Sequence, residues 1–198
     1  MKSIIGIGNA LTDILAILPN DELLKDFHLP KGSMQHVDEA TGEKIWNTLK
    51  PMGVQYVAGG SAANTVTGAA VFGMDCSFVG KVGDDELGSL FKADLERNGI
   101  KANLLKGKAA SGKSMVFITA PNAERTFAVY LGAAIELVPD DLDIEMFKGH
   151  DYFHIEGYLV QNQGLLRRAV ELAKEAGCII SFDMASYNVV ESNDTFLH

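Results

Sequence analysis

The residues of this 198-residue chain best suited to hold a small polar ligand are Gly59-Gly60-Ser61-Ala62-Ala63-Asn64. Two residues without a β-carbon allow a very tight turn, and the small residues after them open a helix whose first amides have no partner within it. A ligand can approach such a backbone closely, and Asn64, one turn in, presents both a donor and an acceptor. Taken alone, the six residues also suit an ordinary glycine turn that starts a core helix. Asn9 and Asp13 form a second polar pair just past the apolar run Ser3 to Gly8, at the edge where open α/β sheets bind ligands. Glu156 and Tyr158 follow the run Asp151 to Ile155 at the same edge, and Glu156 suits either a ligand contact or a solvated loop. Asp183, which ends a further run, suits a ligand contact or a turn cap.

Other patterns fail on context. Gly107-Lys108-Ala109-Ala110-Ser111-Gly112-Lys113-Ser114 matches the P-loop letter for letter, but a P-loop must hand over to a helix so that its amides face the phosphates. Here Met115 to Thr119 is β-rich, so the stretch reads as a hairpin loop. Gly6 and Gly8 begin a dinucleotide fingerprint that Leu11 breaks. His150 and His154 have the spacing of a helical metal pair, yet in a strand four residues span roughly 13 Å, so no metal site is expected. Cys76 and Cys178 each enter an expected strand and read as buried reduced thiols.

These groups need elements to position them. Ser3 to Gly8, Asp75 to Val82, Asp151 to Ile155 and Cys178 to Phe182 are short apolar runs, expected as strands buried on both faces. Helices are expected from Asp38 to about Lys50, from the glycine turn to Gly73, from Asp84-Asp85 to Gly99 and from Asn162 to Ala176, with a shorter one over Asp140 to Phe147. The β-like pieces within 14–37, 54–58 and 102–130 stand outside this βαβ rhythm and suit a small separate sheet. The tail from Asp183 onward is polar and shows no element. At 47% hydrophobic and 22% charged the composition is globular, and a net charge of −9 argues against nucleic acid or an anionic membrane surface as partner. No apolar run reaches the length of a membrane span and no signal peptide leads the chain, so the expected location is cytoplasmic.

Gly59 to Asn64, followed by Gly68, Ala69, Gly73 and then Val79-Gly80-Lys81-Val82-Gly83-Asp84-Asp85-Glu86-Leu87-Gly88, closely resembles the first signature of the ribokinase (PfkB) family of sugar and nucleoside kinases. Gly8-Asn9-Ala10-Leu11-Thr12-Asp13 looks most like the adenosine-kinase branch. The resemblance covers nearly the whole chain. It implies a ribokinase-like α/β fold: a mostly parallel sheet with helices on both faces, plus a small β lid from the segments 14–37, 54–58 and 102–130. It also implies that Asp13 accepts hydrogen bonds from two neighbouring sugar hydroxyls, that Gly59 and Gly60 let the sugar lie on backbone, and that Asn64 binds a further hydroxyl. Asn9 and Glu156 join them as candidates, whereas Arg125 reads as a solvated hairpin residue.

The family's second signature, Gly-Ala-Gly-Asp, has no counterpart in this sequence, and Asn188-Val189-Val190-Glu191 comes too early to be the family's N-x-x-E element. The resemblance therefore implies that the nucleotide-binding part and the catalytic base lie beyond His198. It implies ATP and Mg²⁺ as cofactors of the intact enzyme, a nucleoside or sugar (adenosine first, fructose or ribose next) as acceptor, and a monomer or lid-mediated homodimer. A non-catalytic sugar- or nucleoside-binding or interaction module is the rival from another class.

Overall fold

The computed structural model describes residues 2–197. In chain order the first elements are β1 (Ser3–Ile7), β2 (Leu11–Leu18), α1 (Glu22–Asp26), β3 (Met34–His36), α2 (Glu39–Leu49), β4 (Gln55–Gly59), α3 (Ser61–Val71), β5 (Asp75–Val82) and α4 (Glu86–Arg97). Then come β6 (Ile100–Lys106), β7 (Gly112–Thr119), β8 (Glu124–Tyr130), β9 (Tyr152–Ile155), α5 (Gln163–Glu175), β10 (Ile179–Phe182), α6 (Tyr187–Ser192) and α7 (Asp194–Leu197).

The main sheet has the order β10-β9-β1-β5-β6 and every neighbouring pair in it is parallel. Both faces are covered, which is why β1 is apolar without alternation and buried throughout. Ile5 and Ile7 pack with Phe153 and with Leu165, Leu166 and Leu172 of α5. Ile4 faces the other way, into a core with Phe78, Val66 of α3 and Phe91 and Leu95 of α4.

The second sheet has the order β3-β8-β7-β2-β4 and mixes parallel with antiparallel pairs. Here β2 alternates. Ile14, Ala16 and Leu18 are buried in a third core with Ile45 and Leu49 of α2, while Asp13, Leu15 and Ile17 turn to the other face, where Ile17 is 82% exposed.

Several expectations are corrected. The stretch 102–130 does not act as one unit: β6 pairs in parallel with β5 in the main sheet, and only β7 and β8 belong to the second. A twelve-residue helix, α4, joins β5 to β6, and a helical crossover of that kind delivers a parallel neighbour. Gly107 to Ser111 is consequently a crossing between sheets and not a hairpin loop. Asp13 lies inside β2, not in a loop after β1. A short helix, α1, occupies the polar stretch between Pro19 and Pro30 because Leu24 reaches the core of the second sheet. The helix expected over Asp140 to Phe147 is instead two 3₁₀ turns, Pro139–Asp141 and Ile144–Met146. The tail forms α6 and α7, which pack Val189, Phe196 and Leu197 against the α5 core.

Three amides of the P-loop-like crossing are engaged by carboxylates of the protein. Glu136 accepts from the amides of Lys108 (2.6 Å) and Ala109 (3.1 Å), and Asp85 accepts from the Ser111 amide (2.7 Å) and hydroxyl (2.6 Å). Lys113 is 1% exposed, ion-paired to Glu43 and set over the rings of Trp46 (4.7 Å) and Tyr130 (5.5 Å). Asp85 also caps α4 through the Gly88 amide at 2.9 Å, so one carboxylate ties the helix start to the inter-sheet crossing. Burial opposes ionisation of Asp85, but the bonds from Ser111 and Gly88 outweigh it and hold the carboxyl below the usual range. Asp85→Ala is expected to cost about 2 kcal/mol, from a lost cap and lost charge-assisted bonds. Urea denaturation measures this, and an unchanged midpoint would contradict it.

Candidate functional site

The C-terminal ends of β1, β9 and β10 meet the start of α3, and the chain crosses there between the two sheets. Asp13 sits on β2 in register with Val57 of β4 and Ser114 of β7. Its carboxyl group lies directly on Gly59: a β-carbon at that residue would collide with Cγ and both carboxyl oxygens of Asp13. Gly59 is therefore required for Asp13 to take this position. Burial pushes the Asp13 carboxyl up from 3.8 to about 6, offset only in part by a hydrogen bond with Ser114. No lysine or arginine is bonded to it among the described residues.

Gly60, at φ 91°, is the N-cap of α3. A side chain there would be strained, and its β-carbon would also come within 2.7 Å of the Asn9 carbonyl oxygen. Asn64 is exposed one turn into the helix, with its backbone amide on the Gly60 carbonyl at 3.0 Å and its side chain without a hydrogen bond among the described residues. Asp13 and Asn64 thus keep hydrogen-bonding capacity for a ligand.

Asn9 and Glu156 are placed differently from expectation. Glu156 is 2% exposed, so it is no solvated loop residue, and both its oxygens are engaged within the protein. Oε1 accepts from Asn9 Nδ2 (2.7 Å) and the Asn9 amide (3.3 Å), and Oε2 accepts from the Ala62 amide (3.3 Å). Asn9 is itself buried. Burial pushes the Glu156 carboxyl up, against the pull of these bonds. Asp183 takes the Ser61 hydroxyl at 3.0 Å and the Ala185 amide at 3.0 Å, so it both caps a turn and anchors the helix start. Three carboxyl groups therefore surround residues 59–62. The lysines that end nearby strands are committed elsewhere: Lys81 to Asp141 at 2.7 Å, and Lys113 to Glu43.

Beside Asn9 a cleft of about 270 Å³ runs between Ala134, Ile135 and Leu137 on one side and Tyr158, Leu159 and Gln161 on the other. Among the described residues no group of three or more His, Cys, Asp or Glu side chains is arranged to hold a metal ion. His150 and His154 lie near different hydroxyls, Ser77 and Ser181, at 2.9 and 3.1 Å. Sequence reasoning missed Ser114, whose place opposite Asp13 depends on the β2–β7 register. It also missed Asp94, whose carboxylate takes the Ala58 amide at 2.7 Å and steadies β4 just before the glycines.

The profile of the pfkB family carbohydrate kinases matches residues 34–197. The chain belongs to the PfkB family. The matched range holds the glycine turn, Asn64, Asp85 and Glu156, while Asn9 and Asp13 precede it. Among curated relatives, a fructokinase of Solanum tuberosum is 31% identical over 182 residues, which is 89% of this chain and 53% of that protein. Among solved structures, the adenosine kinase from Sinorhizobium meliloti superposes with a TM-score of 0.84 at 28% identity, over 99% of this chain and 60% of that one. A probable sugar kinase from Rhizobium etli CFN 42 gives a TM-score of 0.84 at 27% identity, over 99% and 60%. The chain thus spans little more than half the length of its PfkB relatives. The fold is the ribokinase-like α/β architecture that the signature implies, with a parallel sheet covered on both faces.

A raised carboxyl at this position weakens the fold. Between its unfolded value near 3.8 and its folded value of about 6, Asp13 binds more proton in the folded state, so its contribution to stability falls as pH rises through that window. Asp13→Asn is expected to raise stability at pH 7.5 by on the order of 2 kcal/mol, with the gain vanishing near pH 4. Denaturation curves at the two pH values check this; a pH-independent loss would contradict it.

Proposed function

We propose that this chain is the acceptor-binding part of an ATP-dependent kinase that phosphorylates a primary hydroxyl of a nucleoside resembling adenosine, or of a sugar such as fructose or ribose. The observation that carries the proposal is the Asp13 carboxyl laid on Gly59 beside the start of α3, with Ser114 as its hydrogen-bond partner. An ionised carboxylate has two acceptor oxygens at a separation that suits two neighbouring hydroxyls, and Asn64 adds a donor and an acceptor. The second sheet, whose open face carries Asp13, would serve as the lid over the acceptor and exclude water.

The surroundings favour an uncharged acceptor. Three carboxyl groups, with Lys81 and Lys113 committed to Asp141 and Glu43, would repel a phosphate-bearing sugar. Both acceptor classes have support: the Solanum tuberosum relative is named a fructokinase and the Sinorhizobium meliloti structure an adenosine kinase. The cleft walled by Tyr158, Leu159 and Ala134 favours the nucleoside, since a base needs an apolar slot and a free sugar does not.

Phosphate handling does not fit the residues present. Within the 107–111 crossing the Lys108 and Ala109 amides are taken by Glu136 and the Ser111 amide by Asp85, and the Ala62 amide of α3 is taken by Glu156. ATP, Mg²⁺ and the base that removes the hydroxyl proton are accordingly assigned to residues outside this chain. Calorimetry with adenosine, fructose and ribose tests the reading. Asp13→Ala and Asn64→Ala are each expected to weaken acceptor binding roughly tenfold or more, as loss of a charged or neutral hydrogen-bonding group does. The purified 198-residue chain is expected to show no ATP-dependent turnover. Wild-type affinity in both variants, or turnover by the chain alone, would contradict the proposal.

A further inference from the structure

We infer that Glu156 is a positioning residue: it holds Asn9 and the first turn of α3 in place beneath the acceptor and does not touch the acceptor itself. The inference rests on the proposed acceptor site and adds a division of labour among its carboxyl groups. Asp13 and Glu156 have opposite settings. Asp13 is partly exposed and lies on a glycine, with Ser114 as its hydrogen-bond partner. Glu156 is 2% exposed and receives three N–H donors, from segments 147 and 94 residues away in the chain.

Those donors explain how a carboxylate sits there without a lysine or arginine. Two are backbone amides held by the fold, and one of these belongs to the first turn of α3, where the helix dipole favours negative charge. The three donors on Glu156 leave one acceptor site, on Oε2, and with the side chain 2% exposed a hydroxyl reaching that site would have to displace the backbone of residues 60–62 packed around it. Displacing Ala62 would also loosen the helix start that carries Asn64. The bonds run the other way: Glu156 fixes the β1–β2 crossing through Asn9, the Asn9 carbonyl packs against Gly60, and Gly59 carries Asp13. Displacement of Glu156 therefore reaches the acceptor through the backbone at residues 59–62.

The test uses the full 198-residue chain and three probes, adenosine, fructose and ribose. Carboxyl ¹³C resonances of Asp13 and Glu156 are followed in the wild-type chain during titration. The expected result is that the Asp13 resonance moves and that of Glu156 stays nearly still; movement of both by the same amount would make Glu156 a ligand and overturn the inference. Calorimetry on Glu156→Gln, Asn9→Ala and the double variant gives a second readout, at a temperature where each is fully folded. The glutamine keeps an oxygen for Asn9 but turns an N–H toward the Ala62 N–H. Each single variant is expected to weaken binding about tenfold, and the double variant also about tenfold, because both act through one linkage. Unchanged affinity in Glu156→Gln would reduce the residue to a structural tie, and a hundredfold loss in the double variant would separate the two residues; either overturns the inference. If Glu156→Gln does not fold, the wild-type titration and Asn9→Ala still decide. If the wild-type chain binds none of the three probes, the acceptor reading itself fails and this inference fails with it.

Discussion

A carboxyl group can be laid on a peptide backbone only where the residue beneath it has no β-carbon, and the contact of Asp13 with Gly59 is the constraint on which the rest of this structure depends. It requires β2 and β4 to run antiparallel with Asp13 opposite Val57, which places Gly59 at the end of its strand, against Leu11. From that point the chain must leave the second sheet and start α3 at once, and Gly60 supplies the left-handed backbone that makes the change of direction possible. The same geometry brings the β1–β2 crossing against Gly60. Two sheets, one helix start and one carboxyl group are therefore set by a pair of glycines.

The chemistry of the site follows from what is withheld from it. Elsewhere in the molecule buried charges are paired: Lys113 has Glu43 and two aromatic rings, and Lys81 has Asp141. Around residues 59–62 the carboxyl groups have only neutral donors among the described residues. Glu156 and Asp183 are occupied by amides and a hydroxyl of the protein, whereas Asp13 retains acceptor capacity. The fold accepts a raised Asp13 carboxyl, and the stability lost to it, at a position where an incoming hydroxyl could supply the missing bonds. On the proposed reading, a site of this kind would select neutral, hydroxyl-rich ligands.

Much of this was legible in the sequence, for physical reasons that differ by element. The glycine turn and α3 were readable because glycine pairs and small residues restrict what a chain can do. The caps Asp38, Asp85 and Asn162 were readable because capping is local: each accepts an amide three residues on. Sheet membership was not. The run Ala102 to Leu105 looks the same whether its neighbour is β5 or β7, and only the crossover helix decides. The inward turn of Glu156 was also invisible, since its partners lie far away in sequence and a glutamate after a strand carries no sign of direction. The burial of Lys113 was unreadable for the same reason, because the groups that bury it come from α2 and β8. The tail helices are too short to signal themselves and form by packing on α5.

The central claim is that the Asp13 carboxyl above Gly59 receives the acceptor. A crystal structure of this chain with adenosine or fructose bound tests it most directly. The account predicts two neighbouring hydroxyls of the ligand within hydrogen-bonding distance of the two Asp13 oxygens, with the ring over residues 59–60 and Glu156 still on Asn9 and Ala62. A ligand bound elsewhere, with Asp13 left to Ser114 alone, would contradict it.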